Sequence, residues 1–130
     1  MSILSNLKVI DASSVLAGPS VGTFFAELGA KVIKVEHPKH HDVTRTWKLP
    51  DEDESSNISA YFSSVNYKKD YIYIDLKTDK GYADFIELIK TADILIMNFK
   101  TADYPKFNIE DETLMSQNER LIIGKINGYG

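Results

Sequence analysis

The chain passes from a strand-like to a helix-like pattern at Val15-Leu16-Ala17-Gly18-Pro19-Ser20-Val21-Gly22-Thr23. A short apolar run, Lys8-Val9-Ile10-Asp11, precedes this junction, and an amphipathic segment ending at Leu28-Gly29 follows it. Pro19 suits the first position of a helix, because its missing N–H would have no partner there. Gly18 lets a ligand approach the backbone, and the free N–H groups of a first helical turn favour anions. The junction therefore predicts a strand and a helix whose start faces an anionic ligand.

Composition narrows the class of protein. The 130 residues include 15 Lys and Arg, 19 Asp and Glu, and no cysteine, which gives a net charge of −4. This length and 43% hydrophobic residues predict one globular domain. A net negative charge without a basic stripe argues against nucleic acid as a partner. The longest apolar run, Ile94 to Met97, is too short for a membrane span, and the N-terminus lacks a signal-peptide pattern, so we expect a cytoplasmic protein without a membrane partner.

Strand-like and helix-like segments alternate along the chain. Strands are predicted at residues 7–11, 31–36, 71–76, 93–99 and 120–126, and helices at 19–28, 79–91 and 111–118, with a short helical or extended piece at 61–66. A loop of about twenty residues follows the second strand. This alternation predicts an α/β fold, a Rossmann-like parallel sheet with flanking helices, whose ligands lie at the carboxyl ends of the strands.

Apolar residues at helical spacing predict which faces of the helices meet the sheet. The predicted apolar positions are Val21, Phe24, Phe25 and Leu28 in the first helix, Tyr82, Phe85, Ile86 and Ile89 in the second, and Leu114 and Met115 in the last. Gly29 is placed to end the first helix, and Thr78 to cap the second.

Two common kinds of site are disfavoured by the residues present. Glu36 ends the second strand, where a dinucleotide-binding fold carries its ribose-binding acid, but the first connection lacks G-x-G-x-x-G. His37, His40 and His41 lie together in a polar loop without cysteine, so we interpret them as solvent-exposed and predict no metal site. His37 stands out by position, because it directly follows the second strand at the ligand edge.

Several other residues at this edge have two interpretations. Asp42-x-Thr44-Arg45-x-Trp47 is either a local cap with an Arg–Trp stack or an anchor that shapes the ligand edge. Asn98-Phe99 suits recognition of a flat heterocycle or an amide, or equally a strand-end cap with packing. Lysines predicted on the same edge could reach phosphate groups, namely Lys77, Lys100 and Lys106. No nucleophile–base pair stands out, so the residues by themselves predict an anion-binding edge without a reaction.

Taken in order, the motifs resemble the class III CoA-transferases, also called the CaiB/BaiF family, which includes formyl-CoA transferase and α-methylacyl-CoA racemase. The resemblance covers essentially the whole chain. The residues that carry it are Leu16 to Pro19, Glu27 to Glu36, Asp42-x-Thr44-Arg45-x-Trp47, Asn66, Lys69, Ile74 to Thr78, Ala92-Asp93, Asn98-Phe99 and Asn127 to Gly130.

The resemblance implies coenzyme A as the ligand and no metal. The positions that it assigns to CoA contact are Leu16, Ala17, His37, Ile74, Asp75, Leu76, Lys77, Asn98, Phe99, Lys100 and Lys106. The family usually has arginine at His37 and Lys106, and Gly-Pro-Gly where this chain has Lys100-Thr101-Ala102. A neutral histidine lacks a fixed charge, and lysine lacks the arginine fork, so weaker or altered CoA binding is expected.

The resemblance also implies a reaction, in which CoA moves between carboxylic acids. An aspartate attacks the acyl-CoA and forms an aspartyl-CoA intermediate, which the acceptor acid resolves. That aspartate, like the racemase His/Asp pair, would lie beyond Gly130, so no catalytic residue is assigned in this chain. We therefore expect residues 1–130 to be the N-terminal CoA-binding domain of an apparently truncated protein, inactive alone. The expected partners are acyl-CoA and a carboxylic acid acceptor, with a homodimer in the full-length protein. A racemase-type enzyme and a non-catalytic binding remnant are the alternatives.

Overall fold

The computed structural model describes residues 2–129 and has a parallel sheet at its centre. The strands are β1 (Lys8–Ala12), β2 (Lys31–Glu36), β3 (Asp70–Tyr73), β4 (Ile94–Met97) and β5 (Ile122–Lys125). All neighbours are parallel, in the order β3-β2-β1-β4-β5, with Ile10 of β1 between Ile33 of β2 and Leu95 of β4. This order reverses between β1 and β4, as in doubly wound folds, and it confirms the predicted fold class.

Helices cover both faces of the sheet. They are α1 (Ala17–Glu27), α2 (Ala60–Val65), α3 (Asp79–Lys90), α4 (Asp103–Lys106) and α5 (Asp111–Gln117), with a 3₁₀ turn at Val43–Thr46. The sequence did not predict α4, because four residues are too few to show a helical period. The third and fourth strands are shorter than predicted, so Ile74–Leu76 and Asn98–Phe99 extend beyond the ladder. None of the helices formed by residues 2–129 has the length and apolar composition needed to cross a membrane.

Two apolar cores lie on opposite faces of the sheet because successive strand residues alternate in direction. Ile10 and Leu95 pack with Phe85 and Ile89 of α3 and with Leu114 of α5. The second core is smaller, and it joins the opposite face of the sheet to α1 through Val9, Val32, Ile96, Ala26 and Ala30. The predicted inward positions of α3 and Leu114 are thus correct, whereas Met115 is exposed, since a neighbouring residue points about 100° away around a helix.

The predicted apolar face of α1 is only partly correct, because Phe25 packs against the second core while Val21 and Phe24 do not. Val21 and Phe24 are 40% and 58% exposed, and the buried face carries small residues instead, namely Gly18, Pro19, Gly22, Thr23 and Ala26. A Cβ atom at Gly22 would lie 2.8 Å from the Asp11 carboxylate, so only a small residue lets α1 approach β1 this closely. The helix also begins at Ala17, which places Pro19 third rather than first, where its missing N–H still costs no hydrogen bond.

The long loop after β2 is held by buried ion pairs that the sequence did not reveal. Lys34 is fully buried, and its Nζ lies 2.9 Å from Asp42 Oδ2 and 3.0 Å from the Ser13 carbonyl. Glu36, two residues further along β2, binds Arg45 through both carboxylate oxygens, at 2.9 and 2.6 Å. Because residues at this spacing share one face of a strand, β2 presents both charges to the loop.

Arg45 settles the two interpretations of the Asp42–Trp47 segment. Its guanidinium lies 3.8 Å from the centre of the Phe62 ring, whereas Trp47 packs edge-on against Tyr61. The Arg–Trp stack of the first interpretation is therefore absent, although its local cap is present, since Asp42 accepts from the Thr44 N–H at 3.1 Å. The segment also anchors the loop to β2 and to α2.

Lys69 forms a second buried anchor below the start of α1. Its Nζ lies within 3.0 Å of Asp11 Oδ2, the carbonyls of Pro19 and Val65, and Asn66 Oδ1. Burial lowers the pKa of Lys69, and the Asp11 charge only partly counters this effect. One side chain thus ties the end of β1 to α1 and α2.

We expect Lys69→Met to lower the free energy of unfolding by about 3–5 kcal/mol, because Asp11 would remain buried without its partner. Urea denaturation at pH 7 measures the change. Lys80→Met is the matched control, since Lys80 pairs with Asp84 on an exposed face, and it should change stability by less than about 0.5 kcal/mol. Equal effects of the two substitutions would show that the Lys69 anchor contributes little.

We expect stability to fall steeply as the pH drops below about 4.5. Burial would raise the pKa of Glu36, but hydrogen bonds from Arg45 and from the Asp42 N–H hold it below its ordinary value of 4.5. Burial likewise opposes ionisation of Asp42, yet Lys34 holds its pKa below 3.8. A carboxyl whose pKa is lower in the folded state stabilises the fold above its unfolded pKa, and acidification removes that stabilisation.

Denaturation midpoints between about pH 5 and pH 3 test this expectation. Glu36→Gln should reduce the pH slope of the unfolding free energy by up to about 1.4 kcal/mol per pH unit, the limit for one proton. Glu87→Gln alters an exposed pair with Lys90, and it serves as the control with the wild-type slope. A slope that Glu36→Gln leaves unchanged would contradict the assignment.

Candidate functional site

A groove of about 510 Å³ opens at the carboxyl ends of β1, β2, β3 and β4. Parallel strands bring the connections that follow them to one edge, so segments distant in sequence meet here. Most of the residues predicted to contact a ligand line this groove, namely His37, Ile74, Asp75, Leu76, Lys77, Asn98, Phe99 and Lys100. A groove therefore lies at the sheet edge where the sequence predicted ligand contact.

Three of the predicted residues lie outside this groove. Lys106 lines an adjoining hollow of about 420 Å³, and its Nζ is 3.9 Å from Asp103 Oδ1. This hollow shares Leu76, Lys77 and Phe107 with the groove. Leu16 and Ala17 are exposed at the start of α1 and line neither hollow. The predicted residues that follow β2, β3 and β4 thus line one groove, whereas Leu16 and Ala17 lie outside it.

Apolar side chains form much of the groove wall. Phe99 packs edge-on against Tyr104 and Phe107, with ring centres 6.0 and 6.2 Å away. Phe107 lines the groove together with Asp103, and both come from the α4 region that the sequence did not predict. A wall of this kind offers apolar and aromatic surface to a flat ring, with polar groups at the rim.

Two lysines at the rim of the groove carry positive charges that are free to bind an anion. Lys77 and Lys100 are exposed, and neither forms an ion pair with any of residues 2–129. By contrast, the charges of Glu36 and Asp42 are held by Arg45 and Lys34. The Nζ groups of the two free lysines are therefore the groups able to meet an anion in the groove.

Asn98 is fully engaged by the backbone. Its Oδ1 accepts a hydrogen bond from the Ser14 N–H at 3.0 Å, and its Nδ2 donates to the Ser14 carbonyl at 2.8 Å. Of the two interpretations of this amide, the structure shows the strand-end cap, here joining β4 to the connection after β1. Val15, which follows Ser14 in the chain, has a φ of 72°, which is rare for a β-branched residue. The N–H of Val15 donates a hydrogen bond to Asp42 Oδ2 at 3.1 Å. The connection is thus pinned on both sides.

His37 is also engaged, contrary to the expectation that all three histidines are solvent-exposed. Its Nδ1 accepts hydrogen bonds from the N–H groups of Lys39 and His40, both at 3.0 Å, and its Nε2 lies 3.4 Å from Asp75 Oδ2. His41 stacks on Tyr73, and only His40 is exposed. Within residues 2–129, no three His, Asp or Glu side chains are grouped so that they could hold a metal ion.

Asp75 connects the histidine turn to the segment after β3. Its Oδ1 accepts a hydrogen bond from the Lys77 N–H at 2.9 Å. This bond lowers the pKa of Asp75 more than partial burial raises it, and His37 adds to the lowering. Asp75 is therefore an ionised carboxylate near neutral pH, with both oxygens directed at protein donors.

Comparison with known proteins identifies the family. The sequence model of CoA-transferase family III matches residues 4–130. The chain is 42% identical to succinate–glutarate CoA-transferase of Agrobacterium fabrum strain C58, over 98% of this chain and 32% of that protein. It is 35% identical to succinyl-CoA:mesaconate CoA-transferase of Haloarcula hispanica, over 100% of this chain and 33% of that protein. The chain thus spans about a third of the length of the curated relatives it matches.

A solved structure agrees with the sequence match. A CaiB/BaiF family protein from Brucella suis superposes with a TM-score of 0.92 at 39% identity, over 99% of this chain and 34% of that one. The ordered motifs, the parallel sheet and the family match lead to one conclusion. This chain belongs to CoA-transferase family III.

Proposed function

We propose that residues 1–130 form the CoA-binding part of a CoA-transferase that moves CoA between carboxylic acids. The family match over residues 4–130 carries this proposal. The groove supports it, because segments that the family resemblance assigns to CoA contact, Ile74–Lys77 and Asn98–Lys100, lie together along it. Acyl-CoA and a carboxylic acid acceptor are the substrates we propose. The homodimer and the cytoplasmic location expected for the whole protein belong to the same proposal.

The groove offers the two kinds of surface that CoA requires. The adenine ring is flat and can pack its faces against apolar side chains, and Leu76 and Phe99 provide such a wall. The phosphate groups are anionic, and Lys77 and Lys100 can reach them with charge-assisted hydrogen bonds. We propose that His37 contributes to shape rather than charge, since both its ring nitrogens already have protein partners.

The proposed reaction proceeds through an enzyme-bound thioester. An aspartate attacks the carbonyl carbon of acyl-CoA and releases the CoA thiolate, which then attacks the resulting anhydride and releases the first acid. The acceptor carboxylate displaces CoA from the aspartyl-CoA by the same two steps in reverse. Each attack forms one acyl bond and breaks another, so no oxidant or reductant is needed.

None of the carboxylates of Asp11, Asp42, Asp75 and Asp93 is proposed as that nucleophile. Asp11 and Asp42 are buried, and each forms an ion pair with a lysine. Asp93 accepts a hydrogen bond from the Lys8 N–H at 2.8 Å, at the amino end of the sheet, which is the wrong edge. Asp75 lies in the groove, but its oxygens are directed at Lys77 and His37. We therefore propose that the 130-residue chain binds CoA without catalysing transfer.

Isothermal titration of the 130-residue chain with CoA tests the proposal. We expect saturable binding that weakens with salt, and about fivefold weaker binding for Lys77→Ala and for Lys100→Ala, because each removes a charge-assisted contact with phosphate. Lys90→Ala is the control, since Lys90 pairs with Glu87 on the outer face of α3, and its affinity should equal that of the wild type.

Three results would contradict the proposal. The binding claim fails if CoA does not bind at millimolar concentration, or if Lys90→Ala weakens binding as much as the two groove variants. The claim that this chain does not catalyse transfer fails if it moves CoA from an acyl-CoA to a carboxylic acid in a coupled assay.

A further inference from the structure

The imidazole of His37 caps a tight turn. The N–H groups of Lys39 and His40 both point at Nδ1, each at 3.0 Å, which requires a lone pair on that nitrogen. The ring proton therefore sits on Nε2, which faces Asp75 Oδ2 at 3.4 Å. This tautomer is assigned from the hydrogen-bond partners, and the neutral ring satisfies all three contacts at once.

A second proton on this ring would break the cap. A proton on Nδ1 would face the two N–H groups that now donate to it, so both hydrogen bonds would be lost together. The new positive charge would lie against the carboxylate of Asp75, 3.4 Å from Nε2, which would neutralise it. Protonation therefore removes two hydrogen bonds while adding little charge that a distant anion can use.

The capped turn forms a wall shared by two cavities. His37, His40 and His41 line the groove, and His40 and His41 also line an open hollow of about 860 Å³, which is formed by the long loop as far as Asn57. The centre of the His40 ring lies 4.8 Å from that of His37, so the two rings pack against each other. Opening the turn would change the shape of the groove next to Asp75.

Few groups facing the turn change charge near neutral pH. The groove is lined by the carboxylates Glu36, Asp42, Asp75 and Asp103, by the cations Lys77 and Lys100, and by His37, His40 and His41. The adjoining hollow adds Glu54 and the cations Lys39, Arg45 and Lys48. Histidine is the side chain whose charge normally changes between about pH 5 and pH 8. His41 contacts the same turn through Nε2, which lies 2.8 Å from the Pro38 carbonyl. Because a carbonyl oxygen only accepts hydrogen bonds, Nε2 carries a proton in both the neutral and the charged ring, and a second proton on His41 leaves this contact in place.

We propose that His37 is a positioning residue for the groove: its neutral ring caps the turn at residues 37–40 and orients Asp75, and a proton on Nδ1 releases the turn and weakens ligand binding. The effect on the ligand depends on the proposed CoA-binding function. The cap on the turn does not depend on CoA binding, so the cap and the proposed function can be tested and refuted separately.

The cap is tested first without ligand, by NMR of the full 130-residue chain from about pH 8 to pH 5.5. We expect the ring ¹⁵N shifts to show the Nε2–H tautomer at the high end. The amides of Lys39 and His40 should shift with the same midpoint as the His37 ring. In His37→Asn the side-chain oxygen can accept the same two N–H groups without titrating, so the turn should persist and the amide titration should disappear. The control variant, His40→Gln, should retain the amide titration.

Calorimetry with CoA then tests the consequence for binding. We expect the wild-type affinity to fall about three- to tenfold between pH 7.5 and pH 5.5, within the tenfold per pH unit that one linked proton allows. The affinity of His37→Asn for CoA should stay nearly constant over this range. Any fall that this variant does show measures the effect of titrating the CoA phosphate, which is then subtracted from the wild-type change. His37→Ala, which lacks a cap at any pH, should bind weakly at both.

Several outcomes would overturn the inference. The cap is wrong if Nδ1 carries the proton at high pH, or if the amides of Lys39 and His40 do not follow the His37 ring. The link to binding is wrong if the wild-type affinity is constant, or if His37→Asn retains the full loss on acidification. Absence of CoA binding at pH 7.5 would refute the proposed function, and the ligand-free titration would still decide the cap.

Discussion

The buried pair between Lys34 and Asp42 fixes the position of the whole ligand edge. Lys34 also donates to the Ser13 carbonyl, and Asp42 also accepts from the N–H groups of Val15 and Thr44. Removing two charges from water is costly, and these extra hydrogen bonds help to offset that cost. Since the same pair holds the connection after β1 and the start of the long loop, neither can shift alone. The pair thus selects one arrangement of the edge.

This arrangement determines which side chains remain available. Arg45 and Lys34 are used in holding the loop, and Asn98 is used in holding Ser14, so none of them can serve a ligand without releasing the backbone. The cations left at the groove are the exposed Lys77 and Lys100. A family resemblance assigns residues to a ligand, but the contacts that each side chain already has decide whether it binds the ligand or supports a residue that does.

The sequence predicted the sheet and its edge because both depend on local patterns. Alternating apolar runs locate strands and helices, and the parallel order then brings the segments around Lys77 and Asn98 together. The buried pairs are different in kind. Lys69 and Asp11 are 58 residues apart, and nothing in either local pattern distinguishes a buried charge from a solvated one. Hydrophobic spacing also misassigned Val21 and Phe24 of α1, because the contact with β1 requires small residues such as Gly22 rather than large apolar ones.

Mapping CoA onto the chain by NMR tests most directly whether the carboxyl edge of the sheet is the binding site. Amide shifts would be followed while CoA is added to the ¹⁵N-labelled chain. We predict that the largest changes occur at Leu76, Lys77, Phe99 and Lys100, and that the amino edge, represented by Asn6, changes little. Changes concentrated at the amino edge, or no changes at saturating CoA, would contradict the assignment of this groove as the CoA site.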